Sequence, residues 1–522
     1  MIDVRWIWCQ NFLLMIWHGN DGTRVWCQKI WLGFRHESDM NTFIGREQEQ
    51  AEFRELLAKK NSSLVTCHGR RRIGKSRFIQ QCAKKANAFF EFSGLPPRPG
   101  LTKKEQLTAF AEQLSKQSKA PRLVLDNWAT AFQLLASQLP PKGSVVLLFD
   151  EISWMGIGEP DFAGYLKNAW DGLLSRRDRT VVVLCGSVSS WIEENILNNT
   201  GFVGRCSWQF HLGPLALSEC RQFWGRSAAR ISTTEKLRFL SVTGGVPRYL
   251  EELDTKKTAE QNIAQLCFHP GGLLFNEFDS IFSDIFHRRA PTYREIVRTL
   301  VDGSKGVDEI SQKVGRERGG SLSQALLELV SAGFLAKDVS PRLSGGLGKS
   351  QSSQSRQLRY RLSDNYLRFY LKYVEPHRAQ IIKGRFKSTA LEQLDQWDAM
   401  MGLQFENLVM ENLGAIFKQL RIPQHTVLYA GPYRQSKTQR QQGCQIDLLI
   451  QTKRSIYLCE IKFKRQISSS VIQEVDRKVA ALKLPKNQSI RTVLIYDGEL
   501  APSIEEDQAF DFLIPASELF VN

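Results

Sequence analysis

The chain has 522 residues, of which 42% are hydrophobic and 24% charged, a composition typical of a soluble globular protein with about two to four domains. The net charge of +16 favours a polyanionic partner such as nucleic acid, with a merely basic soluble protein as the alternative. Ten cysteines without a CxxC pair exclude a zinc ribbon or a disulfide framework and fit a cytoplasmic protein, and no apolar run reaches the roughly 18 residues of a membrane span.

Residues 1–39 differ from the rest of the chain. They contain five of the twelve tryptophans, without a clear period, and equal numbers of acids and bases. The segment lacks the basic start, apolar core and small-residue cleavage site of a signal peptide. We interpret it as a non-native or disordered extension, with Met40 as the natural start. An interfacial membrane anchor is the alternative.

The run from Gly69 to Ser76 matches the P-loop pattern of glycine, four residues and Gly-Lys-Ser. An apolar segment, Ser63–His68, precedes it, and a helix-forming segment follows. An ordinary turn between strand and helix is the alternative. Lys75 would reach the β- and γ-phosphates and Ser76 would bind Mg²⁺. Backbone N–H groups along the loop would cradle the phosphates of ATP; the residues concerned are Gly69, Arg70, Arg71, Arg72, Ile73, Gly74, Lys75 and Ser76.

A second motif completes this site. Val145–Glu151 is an apolar run that ends in two acids, typical of a strand buried on both faces. The acids then lie at the carboxyl end of the strand, where ligands bind in open α/β sheets. We expect Asp150 to hold Mg²⁺ through water and Glu151 to polarise the attacking water. A solvated acidic turn after a core strand is the alternative.

A third buried strand is predicted over Thr180–Cys185. Ser187 follows it and is a candidate sensor or water-positioning group beside the γ-phosphate. Arg205 ends a later loop and could neutralise transition-state charge in cis or in trans. An arginine in a loop is more often only a solvated charge, so the physical argument for Arg205 is weak.

Together with Phe43–Glu47 and Thr243–Leu250, these motifs resemble the archaeal-type ATPases, on the STAND and AAA+ side of the P-loop NTPases. The resemblance covers about residues 40–250. It implies an ATPase core over residues 40–215 and a helical lid over 216–285. It also places Arg46 near the nucleotide base and makes Pro247 part of a lid motif that closes over the nucleotide.

Residues 286–375 have the pattern of a winged helix, and residues 363–370 resemble the segment that follows it in the same family. A Gly/Ser-rich loop between two predicted strands carries Arg342, Lys349 and Arg356, as expected of a DNA-contacting wing. A helical protein-interaction module with a disordered loop is the alternative. The predicted helices are Tyr293–Leu300, Val307–Val314 and Ser321–Ala332, and the predicted strands begin at Gly333 and at Gln357.

After a linker over 376–399, residues 400–522 carry a second constellation. Glu406 lies on a predicted helix, Asp447 on a strand, and Glu460 and Lys462 at the end of the next strand, where alternation points both to one side. The carboxylates could clamp one or two Mg²⁺ ions while Lys462 polarises a water or phosphate oxygen. This resembles the D…(D/E)-x-K plan of the restriction-endonuclease-like fold, although no Pro-Asp pair is present. An inactive relic is the alternative.

The sequence therefore predicts an α/β protein: a P-loop NTPase parallel sheet with a helical lid, then a winged helix and a C-terminal α/β nuclease-like domain. The predicted activity is ATP hydrolysis by an enzyme that acts on DNA or is regulated by it. The alternative is a nucleotide-dependent signalling switch that binds a protein partner or forms a homo-oligomer, with an inactive nuclease-like domain.

Overall fold

The computed structural model describes residues 43–522 apart from 119–120, 122, 187–188, 287–288, 342, 344–357, 387–390, 438, 440–441, 483–487 and 522. Upstream it describes three strands, β1 (Arg5–Cys9), β2 (Phe12–His18) and β3 (Arg24–Val25), which pair in antiparallel fashion. These strands lie where the sequence indicated a non-native or disordered extension. Residues 45–522 form a separate compact unit. No helix in the described parts of the chain is both long and apolar enough to cross a membrane.

The ATPase core is built on a parallel sheet with the order β5-β6-β7-β4-β8 among the described strands. Its elements are α1 (Glu47–Ala58), β4 (Ser63–Gly69), α2 (Lys75–Ala83), β5 (Ala88–Ser93), α3 (Lys103–Ser118), α4 (Trp128–Gln138), β6 (Val145–Asp150), α5 (Ile152–Met155), α6 (Phe162–Ala169), β7 (Thr180–Gly186), α7 (Ser189–Ile192) and β8 (Cys206–Leu212). Strands β4, β6 and β7 are buried almost throughout, which explains their continuous apolar runs. The three predicted strands are confirmed.

An aromatic core fixes β6 against the helices on one face of this sheet. The rings of Phe92 and Phe110 stack at 4.5 Å, and the ring of Phe149 lies 5.7 Å from that of Phe92. Trp128, at the start of α4, is fully buried and meets Phe110 edge to face. Since large aromatic side chains bury the most apolar area, this packing holds the end of β6 in a fixed position beside the P-loop.

Next come the lid and a region of three helices with a three-stranded antiparallel sheet among the described strands, in the order β10-β11-β9. The elements are α8 (Leu217–Cys220), α9 (Thr233–Thr243), α10 (Pro247–Leu250), α11 (Ala259–Cys267), α12 (Leu273–Phe286), α13 (Ala290–Thr299), β9 (Lys305–Gly306), α14 (Val307–Val314), α15 (Gly320–Ser331), β10 (Leu335–Val339), β11 (Leu358–Leu362), α16 (Asn365–Phe369) and α17 (Glu375–Ile382). The helices and strands predicted here are present. The winged-helix assignment itself stays a prediction, and Arg342, Lys349 and Arg356 lie outside the described residues.

The C-terminal region contains a mixed sheet with the described order β12-β13-β14-β15-β16. Its elements are α18 (Trp397–Glu411), α19 (Leu413–Gln419), β12 (Val427–Gln435), β13 (Cys444–Thr452), β14 (Ser455–Ile467), α20 (Ser470–Ala481), β15 (Ser489–Leu500), α21 (Pro502–Glu506) and β16 (Phe512–Pro515). Strands β12 to β14 are antiparallel, and α20 connects β14 to the parallel strand β15. The expected linker, 376–399, includes most of α17 and the start of α18.

Candidate ATP site and C-terminal acid–lysine cluster

The P-loop needs glycine at both of its ends. Gly69 has a φ of 154°, and a Cβ there would lie 2.2 Å from the carbonyl oxygen of Leu212. Gly74 has a φ of 86° and immediately precedes α2. An L side chain at either position would strain the backbone or collide with it. The loop therefore turns sharply into the N-terminus of α2 and leaves an open, glycine-lined cradle of the kind that binds phosphate.

The polar side chains of the two predicted motifs meet beside this cradle. The ammonium group of Lys75 is nearly buried and donates to the carbonyl oxygens of Gly69 and Arg70, at 3.2 and 3.3 Å. The hydroxyl of Ser76 donates to Oδ2 of Asp150 at 2.7 Å, and Oδ1 of Asp150 accepts the N–H of Glu151 at 3.1 Å. Ser76 and Asp150, predicted as Mg²⁺ ligands, are thus in direct contact at the edge of the sheet.

Glu151 is the residue immediately before the short helix α5, and its backbone is left-handed, at φ 48° and ψ 52°. A non-glycine residue rarely adopts this region, and such residues concentrate at functional sites. The turn places Glu151 directly beyond the carboxyl end of β6, next to Asp150. These residues fit a phosphate group with a hard cation: a hydroxyl and a carboxylate oxygen for the metal, an ammonium group and backbone N–H groups for the anion.

The side chains of two P-loop arginines, Arg70 and Arg72, form contacts outside the loop. Arg70 is buried, forms an ion pair with Asp364 and contacts the hydroxyl of Tyr249 at 3.4 Å. Arg72 donates to both carboxylate oxygens of Glu277, at 2.9 and 3.3 Å. The sequence indicated that these residues cradle phosphate; their backbone can do so, but these two side chains attach the loop to the lid and to the segment before α16.

The lid motif lies against the P-loop. A Cβ on Gly74 would lie 4.0 Å from Cγ of Pro247. Gly245 permits a separate close approach, to Leu215, because a Cβ there would lie 2.3 Å from the carbonyl oxygen of that residue. Arg46 was expected near the nucleotide base. Its backbone N–H donates a hydrogen bond to the Glu219 carboxylate at 2.6 Å, and its guanidinium donates to the carbonyl oxygen of Gly213. Its described contacts therefore hold the entry to α1 in place.

The structure does not bring Arg205 to the P-loop of its own chain. Cys206, the next residue, pairs with Leu64 at the start of β4, whereas Gly69 is at the other end of that strand. At roughly 3.3 Å per residue, the separation along the sheet is about 17 Å. Arg205 instead makes two hydrogen bonds to Asp171, at 2.7 and 3.0 Å. Ser187 lies outside the described residues.

The C-terminal region assembles a second group of charges, which we call the acid–lysine cluster (Glu406, Asp447, Glu460, Lys462, Glu474 and Lys478). Glu460 is 1% exposed and accepts from the ammonium groups of Lys462 and Lys478, both at 2.6 Å. Glu474 contacts the same two lysines, at 3.1 and 3.0 Å. The cluster therefore includes all four residues of the predicted nuclease site.

The acids of the cluster influence one another. Burial and the neighbouring Glu406 raise the pKa of Asp447 to about 6, and burial and Asp447 raise the pKa of Glu460 to about 7. Oδ2 of Asp447 accepts the N–H of Ile461 at 3.0 Å. Burial also raises the pKa of Glu406. Burial and the proximity of other carboxylates favour retention of protons and here outweigh the opposite effect of Lys462 and Lys478 on Asp447 and Glu460.

The expected Mg²⁺ clamp is not formed as the sequence suggested. Among the residues that the structure describes, no three His, Cys, Asp or Glu side chains are arranged to hold a metal ion. The physical reason is that the two lysines occupy both oxygens of Glu460. Sequence reasoning missed Lys478 and Glu474 on α20. Their i,i+4 spacing on a helix directly after the Glu460 strand is a signal that could have identified them.

Comparison with known proteins matches two separate regions of the chain to two different families. Residues 43–253 match the family model of an ATPase domain predominantly from Archaea. Residues 370–477 match a family of archaeal and bacterial proteins of unknown function. The uncharacterized protein MJECL04 of Methanocaldococcus jannaschii is 20% identical over 381 residues, which span 73% of this chain and 79% of that protein.

Solved structures with a similar fold are more distant. The Walker-type ATPase PABY2304 of Pyrococcus abyssi is 15% identical, with 63% of this chain and 96% of that chain covered and a TM-score of 0.45. The Aeropyrum pernix ORC2 protein is 14% identical, with 66% and 97% covered and a TM-score of 0.38. The family match, the P-loop cradle and the Ser76–Asp150 contact agree, and residues 43–253 are an ATPase domain of the archaeal type.

Proposed function

We propose that this chain binds ATP with Mg²⁺ at the P-loop, hydrolyses it, and couples the cycle to DNA. The observation that carries the proposal is the hydrogen bond between the Ser76 hydroxyl and Asp150, which joins the first turn of α2 to the end of β6. Both oxygens are of the hard type that Mg²⁺ prefers. Mg²⁺-ATP, when bound, supplies the reactive γ-phosphoryl group with its charge partly neutralised.

Each residue then has a defined task. Lys75 exchanges its bonds to the two loop carbonyls for bonds to phosphate, because an anion is the stronger acceptor. Glu151, next to Asp150 and past the end of β6, polarises the attacking water. Pro247 covers the start of α2 from the lid side. Ser187 remains a proposed water-positioning group, and Arg205 could serve only a neighbouring copy of the chain.

The proposed link to DNA is supported by the charge of +16 and by the winged-helix-like order of elements from α13 to β11. Two arginines on β11 already have acidic partners: Arg359 contacts Glu309 at 2.9 Å, and Arg361 contacts Asp338 at 3.0 Å. We therefore assign the DNA contact to the basic residues that precede β11 in the sequence, Arg342, Lys349 and Arg356.

ATP turnover by the full chain tests this proposal, measured without DNA, with duplex DNA and with single-stranded DNA. The Lys75→Ala protein serves as the blank. Stimulation by DNA that weakens steeply as salt increases supports the proposal, because phosphate contacts release counterions. Turnover that ignores DNA would favour the other candidate, a nucleotide-dependent switch that binds a protein partner or another copy of the chain.

We propose Mg²⁺-dependent phosphodiester cleavage as a second activity, at the acid–lysine cluster. The observation that favours it is the convergence of Asp447, Glu460 and Lys462 with Glu406 on adjoining elements. Asp447 and Glu460 would hold the cation once Lys478 releases Glu460, and Lys462 would polarise the attacking water or a phosphate oxygen. Mg²⁺-dependent nicking of DNA that is lost in both Asp447→Asn and Lys462→Ala would support it. Equal nicking by these variants would assign the activity to a contaminant.

A further inference from the structure

A continuous chain of buried contacts runs from the P-loop to α18. Its first link is the ion pair between Arg70 and Asp364, in which both side chains are almost completely buried. Such a pair is held tightly, because removal of one partner leaves a charge without compensation in a medium that solvates it poorly. The carbonyl oxygen of Arg70 also accepts a hydrogen bond from the ammonium group of Lys75, at 3.3 Å. One residue of the P-loop therefore touches both the phosphate-binding lysine and Asp364.

The second link connects Asp364 to the helix that carries Glu406. Oδ1 of Asp364 accepts the N–H of Leu367 and so caps α16. Asn365, the next residue, donates to the carbonyl oxygen of Gln404 at 3.2 Å, and the Gln404 side chain donates back to the carbonyl oxygen of Asn365 at 2.6 Å. Asn407 donates to Oδ1 of Asn365 at 3.0 Å. These three hydrogen bonds, two of them reciprocal, fix α18 to the residue beside Asp364.

The last link is α18 itself. Glu406 lies between Gln404 and Asn407 in the sequence. The neighbouring Phe405 packs against β14, the strand that carries Glu460 and Lys462, with its ring 5.4 Å from that of Phe463. The side chains of Asn365, Gln404 and Asn407 are buried, so movement of one must be accommodated by its partners. A shift at Asp364 can therefore reach Glu406 without crossing solvent.

We propose that Asp364 and Asn365 transmit the occupancy of the ATP site to the acid–lysine cluster. This inference rests on the proposed ATP binding. Phosphate draws Lys75 away from the carbonyl of Arg70; the freed loop segment adjusts its ion pair with Asp364; and Asn365 carries the change to α18. Because linkage is reciprocal, a ligand at the cluster must change the affinity for nucleotide by the same factor.

Hydrogen exchange in residues 397–411 tests the coupling in the full chain, with and without the non-hydrolysable analogue AMP-PNP. Calorimetry on the same samples gives the Kd. For the unmodified chain we expect AMP-PNP to change exchange in α18 by at least about threefold, within the usual range of coupling energies. In Asn365→Ala, AMP-PNP should bind within about threefold of the normal Kd while the response of α18 disappears. Asp364→Asn should also lose the response.

Glu375→Gln is the matched control, because Glu375 pairs with Arg298 at the start of α17 and takes no part in these contacts. It should keep the α18 response. The proposal is overturned if the unmodified chain binds AMP-PNP without any change in α18, or if Asn365→Ala responds normally. Absence of AMP-PNP binding by the unmodified chain would overturn the proposed ATP site, and this inference with it. Calorimetry on the unmodified chain distinguishes failure of the coupling from failure of ATP binding, because it shows directly whether AMP-PNP binds. This distinction does not depend on the folding of any variant.

Discussion

The P-loop follows the end of β4, and the acid–lysine cluster lies along the middle of β13 and β14, where the sequence had placed Glu460 and Lys462 at a strand end. Both gather charged side chains against a sheet, but their charges are satisfied differently. At the P-loop, Asp150 accepts from the neutral hydroxyl of Ser76 and from a backbone N–H group. In the cluster, Glu460 accepts from two ammonium groups. A cation can approach Asp150 by displacing a weak neutral donor, whereas at Glu460 it must compete with Lys462 and Lys478. The first site is prepared for a metal-bound polyanion, and the second requires a rearrangement first.

The largest expected effect is on stability, at the connection between the two sites. Asp364→Ala leaves the guanidinium of Arg70 buried without its partner, and we expect a loss of about 3–5 kcal/mol in the free energy of unfolding. Urea denaturation measures this. Glu375→Ala, which breaks a partly exposed pair with Arg298, should cost less than about 1 kcal/mol. Equal losses in the two variants would contradict the buried character of the Arg70–Asp364 pair.

Removal of Lys75, the proposed phosphate-binding residue, tests the P-loop side of the comparison. Lys75→Ala should weaken ATP binding by at least about 100-fold, because a charge-assisted bond to phosphate is lost. Calorimetry measures the Kd. The exposed Lys85, two residues beyond the same helix, provides the control variant Lys85→Ala, which should bind ATP normally. Normal affinity in Lys75→Ala would remove Lys75 from the site.

The cluster should show its own dependence on pH. The pKa of Glu460 is raised from 4.5 to about 7, so the folded state holds an extra proton between these values. Its contribution to stability therefore falls as pH rises from about 4.5 to 7. Glu460→Gln should make this fall smaller, since the raised pKa of Asp447 adds a share of its own, and unfolding curves at pH 5, 6 and 7 measure the difference. Parallel pH profiles for the variant and the unmodified chain would contradict this titration.

The smallest effect should come from Arg205. Its pair with Asp171 is partly exposed, so Arg205→Ala should leave the free energy of unfolding almost unchanged. Arg205 lies at the end of the strands opposite the P-loop. Basal ATP turnover at low protein concentration should therefore be unchanged in Arg205→Ala. Turnover that rises with protein concentration in the unmodified chain, but not in Arg205→Ala, would instead assign Arg205 to the site of a neighbouring copy.

The sequence predicts those parts of the molecule whose chemistry is local. The P-loop is one uninterrupted motif, and Asp150 follows a strand that is recognisable from its apolar run alone. The partners of Arg70 and Arg72 could not be predicted, because Asp364 and Glu277 follow them by hundreds of residues and reach them only through the fold. The choice between cis and trans action for Arg205 could not be made from the sequence, because its distance from the P-loop depends on strand register. Lys478 belongs to no motif and joins Glu460 only through the packing of α20.

The most direct test of the proposed hydrolysis is single-turnover ATP cleavage by Glu151→Gln beside the unmodified chain, with ATP affinity measured on the same samples. For Glu151→Gln we predict an unchanged Kd for ATP and a cleavage rate that is lower by about 100-fold or more, because Glu151 acts on water and not on ATP binding. Cleavage at the normal rate would contradict the role of Glu151. Absence of ATP cleavage by the unmodified chain, despite normal binding, would contradict hydrolysis itself and leave the nucleotide-dependent switch.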